Sequence, residues 1–313
     1  MEKEITRRDK IKGGIIGLLV GDALGVPYEF HARQEIPSFD EIEFEPPVEF
    51  RRAHRGVSPG TFSDDGAQAL ILLNTLLECG KLEAPHFANG LVDWYDEGFM
   101  AVGGEVFDVG IQTANAIHAL KRGVSPHLAG GTDEYSNGNG SLMRVLPLAL
   151  WHQGSDLELV ADAFDQSAVT HGHLRAKLCC ALYCLWARRI LQSTENAWEN
   201  AVETLYEIFP EGTTENIEFE TRIFPKDAIF DVKGSGYVVD SLRASRWANG
   251  HKTYEETVKA AISLGDDTDT TACIAGGIAG LIHGFEAIPK RWVENLRGAD
   301  IYLPLLEKLL ERI

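Results

Sequence analysis

The chain has 313 residues, 44% of them hydrophobic, and a formal net charge of −18. This length supports a substantial buried core in one large domain or two smaller ones, and with no boundary visible between two, a single domain over residues 1–313 is expected. The acidity excludes a broad nucleic-acid surface, because neutralising a phosphate backbone needs a basic patch.

Residues 1–14 mix both charge signs, and the apolar run at 15–20 is too short for a membrane span or a signal core. A cytoplasmic protein without a membrane partner is expected. From 9 to 25 the apolar residues Ile11, Ile15, Leu18, Leu19 and Val20 fall at helical spacing, with Gly13, Gly14, Gly17 and Gly21 between them. Each glycine inside a helix costs about 1 kcal/mol against alanine, so this flat face predicts the close approach of another backbone. Asp22 and Glu29 lie near and just beyond the helix end; taken alone, one bonds to a nearby backbone N–H and the other is a solvated loop carboxylate.

Residues 33–60 carry four prolines and alternate acidic with aromatic residues, the pattern of an irregular excursion, a binding loop or lid if ordered. Ser63, Asp64 and Asp65 then precede a helix predicted over 67–78 with Leu70, Leu73 and Leu77 inward. Helices are expected over 84–97 and up to about Gly123, with Asp108 just before the latter, where it would serve as a cap. The loop 130–139 is followed by a helix predicted over 140–153, bent by Pro147. A glycine- and asparagine-rich turn entering a helix can cradle phosphate on its N–H groups, though this one lacks a P-loop lysine. Tyr135 reads as an ordinary loop residue. Helical patterns continue over 156–169, 173–191, 196–209, 235–249 and 254–264, then around Trp292 and 301–310; residues 211–233 read as acidic and irregular. His171 and His173 suit contact with a substrate or capping better than metal binding, since the other candidate ligands are oxygens. The five cysteines lack CxxC spacing and read as buried free thiols. No strand pattern alternates with these helices. The predicted fold is all-α, a compact multi-helix bundle whose helix starts supply a polar site.

Gly265 to Thr271 reads GDDTDTT, three carboxylates and three hydroxyls ahead of an apolar small-residue run. Asp267 and Asp269 would occupy the first turn of a helix starting near Thr268, where free N–H groups favour anions. Oxygens this dense also suit Mg²⁺, Mn²⁺ or Ca²⁺. Ser63, Asp64 and Asp65 repeat the pattern at another helix start. Two such clusters together point to a shared site able to bridge two cations.

The segments GDALGVPYEF (21–30), TFSDDG (61–66), FDVG (107–110), NGSLMRVLPLAL (139–150), the pair Thr170 and His171, and GDDTDTTACIAGGIAG (265–280) together resemble the ADP-ribosylglycohydrolase family, which includes the enzyme that removes ADP-ribose from arginine of dinitrogenase reductase. The resemblance implies an all-helical orthogonal bundle with a binuclear Mg²⁺ or Mn²⁺ centre that splits an N- or O-glycosidic bond to ADP-ribose on a protein. Matched motif by motif, it implies metal ligation by Ser63, Asp64, Asp65, Asp267, Asp269 and Thr270, with Asp267 also counted as catalytic. Glu29 matches a glutamate beside the metals that acts as base or gate. Asp108 matches the acidic residue of the arginine-directed branch, and Asn139, Gly140, Ser141 and His171 match the ADP-ribose cradle. Asp266 replaces a second glycine before the DTDT and is read as an outer neighbour, while Gly66 stands where many members have threonine or serine. Hydrolysis of ADP-ribosyl-arginine is the expected activity. Hydrolysis of serine-linked or small-molecule ADP-ribose, a silent ADP-ribose-binding or structural protein, and a metal-dependent phosphohydrolase are the alternatives.

Overall fold

The computed structural model describes residues 5–224 and 231–312, and among them there are fifteen α-helices and no named strand. In chain order they are α1 (Arg7–Gly25), α2 (Asp64–Cys79), α3 (Ala84–Glu97), α4 (Ile111–Lys121), α5 (Pro126–Ala129), α6 (Leu146–Trp151), α7 (Asp156–Ala168), α8 (Leu174–Leu191), α9 (Ala197–Ile208), α10 (Thr214–Glu218), α11 (Val238–Ala248), α12 (Tyr254–Ile262), α13 (Thr268–His283), α14 (Lys290–Asn295) and α15 (Ala299–Glu311).

Helices α1 and α13 form the antiparallel centre. A Cβ added at Gly13 would lie 2.2 Å from the Gly280 carbonyl oxygen, at Gly17 2.5 Å from that of Gly276, and at Gly21 2.1 Å from that of Ala272. The expected close backbone approach is therefore made by the C-terminal small-residue helix, and the propensity cost of the glycines is offset by contact no side chain would permit. Tyr254 Oη donates to the Gly17 carbonyl at 2.7 Å and Tyr183 Oη to that of Ile274 at 2.8 Å, pinning the pair from α12 and α8. By length and composition α1 is apolar enough to cross a membrane, yet 94% of its most apolar window is buried inside the fold.

Two stretches differ from the sequence reading. The helix expected over 140–153 begins only at Leu146, with Pro147 in its first turn instead of bending it; proline's missing N–H is tolerated there and disrupts a helix interior. Residues 139–144 remain as turns. The segment 211–233 contains α10 and a single π-helical turn over Phe219–Ile223, and the expectation for 225–230 lies outside the described residues. The 33–60 excursion is irregular, with short 3₁₀ turns at Arg33–Glu35 and Phe39–Glu41. It is tied down through Glu43, which exchanges backbone bonds with Tyr28 Oη at 2.7 and 2.9 Å and accepts from Trp292 Nε1 at 2.5 Å. Of the cysteines, all free, Cys79 is half-buried and the other four are buried.

Candidate metal centre and nucleotide cleft

The N-termini of α2 and α13 meet. Ser63 caps α2 with Asp64 and Asp65 in its first turn, while Asp267 stands before α13 with Asp269 in its first turn. Across 205 residues of sequence the Thr270 hydroxyl donates to Asp65 Oδ2 at 3.4 Å, and the Ser63 hydroxyl reaches the same oxygen at 3.1 Å. All six residues matched to metal ligation thus converge on one region.

Asp22 joins them, carried there by the close α1–α13 contact. It is fully buried, and its carboxylate accepts from the Ser63 N–H at 2.9 Å and the Gly66 N–H at 2.7 Å. Carboxylate oxygens of Asp22, Asp65 and Asp269 lie within 4.8 Å of one another, as do those of Glu29, Asp267 and Asp269. The sequence reading assigned Asp22 only a bond to a neighbouring N–H; its partners are backbone groups, but some 40 residues away. A Cβ at Gly66 would sit 2.8 Å from the side chains of Leu19 and Phe62, so a hydroxyl-bearing residue there would have to displace them.

Burial and mutual repulsion raise these groups' pKa values. Desolvation, against the pull of the Ser63 and Gly66 N–H groups, brings Asp22 to about 7. Burial and the neighbouring Asp108 and Asp267 push Glu29 to about 10, and burial with Asp267 brings Asp108 to about 6. Asp64, Asp65 and Asp269 are held well above the ordinary carboxylate range, and Asp267 above it, chiefly by desolvation. Asp65 Oδ1 and Asp269 Oδ2 are buried without a hydrogen-bond partner. Orphaned buried carboxylate oxygens are costly, and hard divalent cations require oxygens of this type. The donor set therefore fits a hard divalent cation.

Above this floor lies a cavity of about 330 Å³, lined by Glu29, Asp64, Asp108, Asp267 and Thr270 on one side and by Gly138, Asn139, Gly140 and His171 on the other. Its lining contains no lysine or arginine among the described residues. Asn139 Nδ2 donates to Asp267 Oδ2 at 2.8 Å and to Ser241 Oγ at 2.9 Å, tying the turn to α13 and α11. Ser141 is different: its hydroxyl accepts from Ser167 at 2.8 Å and is fully buried behind the cleft. Phe30, Ile111, Gln112, Thr113, Met143 and Gly236 also line the cavity, although neither composition nor spacing singled them out.

Glu29 is 4% exposed and bonds to His54 Nε2 at 2.6 Å. His54 lies 4.0 Å from Asp108 and its ring packs near those of Phe30 and Phe107. The sequence carries no signal for His54 at the site, because it sits in the irregular excursion. Phe30, His54, Asp108 and Asp266, all beside this mouth, adopt left-handed φ values of 62°, 44°, 56° and 60°. Such strain persists only where the surroundings enforce it: Phe30 N–H donates to Asp266 O at 2.8 Å and Asp266 N–H to His31 O at 2.7 Å. Asp266 is exposed and acts here through its backbone, as an outer neighbour. Tyr135, 96% exposed, does not line the cavity.

The chain is 31% identical to ADP-ribosylarginine hydrolase Tri1 of Pseudomonas putida (strain GB-1) over 306 residues, covering 97% of this chain and 78% of that protein. It is 25% identical to the ADP-ribosyl-[dinitrogen reductase] glycohydrolase of Rhodospirillum rubrum over 92% of this chain and 90% of that one. A solved structure titled as an ADP-ribosylglycohydrolase-related protein complex superposes with a TM-score of 0.77 at 28% identity, covering 98% of each chain. Residues 3–313 match the ADP-ribosylglycohydrolase family, and with two aspartate-bearing helix starts meeting below a glycine-walled cleft, the chain belongs to that family.

Proposed function

We propose that residues 1–313 act as a single unit that releases ADP-ribose from arginine side chains of modified proteins, with the help of two divalent cations, Mg²⁺ or Mn²⁺. The observation that carries this reading is the pair of orphaned buried oxygens, Asp65 Oδ1 and Asp269 Oδ2, among carboxylates beneath the cleft. An arginine linkage is supported by the relatives named as ADP-ribosylarginine hydrolases, about 30% identical.

Ser63, Asp64, Asp65, Asp267, Asp269 and Thr270 would hold the cations. When bound, these supply Lewis acidity that orients ribose hydroxyls and organises water. Around them, Gly138 and Gly140 give the nucleotide sugar a wall free of side chains at those two positions, and Asn139, Gly140, Ser141 and His171 form its cradle. Since the Ser141 hydroxyl faces Ser167, its contribution is assigned to the backbone. Glu29, hydrogen-bonded to His54 across 2.6 Å, is suited to pass a proton to or from the reacting group. Asp108 stands at the mouth, where a guanidinium leaving group would meet a carboxylate. A second cavity of about 690 Å³ shares Glu29 and Phe30 with the cleft and leaves room for substrate beyond the ribose.

The test is release of ADP-ribose from matched ADP-ribosyl-arginine and ADP-ribosyl-serine peptides, with chelator or with added Mg²⁺ or Mn²⁺. Metal-dependent release from arginine, abolished in Asp267→Asn/Asp269→Asn, is the expected result. Release from serine alone would overturn the linkage; AMP as product would mean diphosphate cleavage instead, and binding without release a non-catalytic protein. Unchanged turnover in Asp108→Asn would remove Asp108 from the reaction.

A further inference from the structure

Behind the cleft lies a cation that the proposed reaction does not use. Arg144, at the foot of the turn that builds the cradle, is fully buried. Its Nε donates to Gln166 Oε1 at 3.1 Å, Nη1 to Gln68 Oε1 at 2.8 Å, and Nη2 to the Gln166 carbonyl at 3.0 Å and Thr170 Oγ1 at 2.8 Å. Guanidinium only donates, so each of these contacts fixes the direction of the next. Gln68 must turn its oxygen to Arg144, which leaves its amide N–H for Asp64 Oδ2 at 3.0 Å.

The same logic reaches His171. Thr170 Oγ1 accepts from Arg144 and lies 2.7 Å from His171 Nδ1. Oγ1 keeps a second lone pair for an Nδ1–H donor, but only with Nδ1 as the acceptor does the proton of the fully buried Thr170 hydroxyl bond to it. The ring proton then resides on Nε2, the edge that faces the glycine wall: a Cβ at Gly140 would be 3.2 Å from Nε2, and one at Gly138 3.5 Å. We propose that the buried Arg144–Thr170 pair is a positioning device that locks His171 as the neutral Nε2–H tautomer, so that the cleft is offered a hydrogen-bond donor to an oxygen of the nucleotide. The identity of that ligand rests on the function proposed above; the tautomer does not.

Two measurements keep these apart. Histidine-selective ¹⁵N NMR of the full-length protein reads the tautomer directly, in the wild type, in Thr170→Val, which lacks the hydroxyl, and in Thr170→Ser, which retains it. Calorimetry with ADP-ribose reads the donor. The expected result is an imine-type Nδ1 and a protonated Nε2 for His171 in the wild type and in Thr170→Ser. Thr170→Val should lose that single tautomer and bind ADP-ribose about tenfold more weakly, a factor equivalent to about 1.4 kcal/mol. A proton on Nδ1 in the wild type, or the same tautomer and affinity in Thr170→Val, would overturn the proposal. Should wild-type protein show the expected tautomer and its loss in Thr170→Val but no affinity for ADP-ribose, the lock would stand and the nucleotide reading would fall.

Discussion

Glu29 and Asp22 carry the same functional group and are both buried, but their neighbours give them different work. Asp22 receives backbone N–H groups from Ser63 and Gly66 and so holds the start of α2 in place, whereas Glu29 bonds to a titratable ring, His54. His171 shows how far surroundings set behaviour: burial, then the nearby Arg144, drives its pKa down to about 3. In the unfolded chain it ionises near 6.5, so between these values the unfolded state binds the extra proton. The stability contributed by its neutral ring is therefore full above about pH 6.5 and declines as pH falls toward 3, by up to about 1.4 kcal/mol per unit. Urea titrations of wild type and His171→Gln over this range should show the wild type losing ground to the variant as pH drops; parallel profiles would mean the ring is not held neutral.

Among the elements, α1 and α13 decide the most. Their glycine-mediated contact sets the helix separation, and because Gly25 packs with a would-be Cβ 2.3 Å from Asp269 Cα, the same contact delivers Asp22 to the carboxylate floor. Gly21→Ala places a methyl 2.1 Å from the Ala272 carbonyl oxygen, and forcing the helices apart should cost about 1–3 kcal/mol. Gly56→Ala, with nothing within 4 Å, should stay within about 0.5 kcal/mol of the wild type. Denaturant midpoints compare the two, and equal losses would contradict a rigid central contact. Proline placement matters equally: by starting α6 at Leu146, Pro147 leaves 139–144 as turns, and the cradle is built from them.

For the whole molecule, the concentration of carboxylates is a strain that a bound cation would relieve. A ligand that binds only the folded state stabilises it by about 2.7 kcal/mol at a hundred times its dissociation constant. Thermal unfolding of chelator-treated protein should thus shift upward on adding Mg²⁺ or Mn²⁺, and the shift should vanish in Asp267→Asn/Asp269→Asn. No shift in the wild type would count against the metal centre irrespective of any substrate. The acidity itself, −18 overall, is only partly explained by this site, since many acidic residues lie on the surface.

Much of this was legible in the chain alone, because it is encoded locally. Helical spacing, the glycine face of α1, and hydroxyl–carboxylate clusters at two helix starts each occupy a few consecutive residues, and their pattern states the chemistry. The extent of α6 was not legible, since a proline inside an apolar run is compatible with either a bend or a start, and only the packing of the preceding turn against Asp267 and Ser241 selects the start. Nor could spacing reveal Asp22 among the site carboxylates, His54 against Glu29, or Arg144 behind His171. These relations join residues 25 or more positions apart, except for His171 and Thr170, and their strength comes from burial. A carboxylate, imidazole or guanidinium acquires its role only when the tertiary structure removes water and leaves it a defined set of partners.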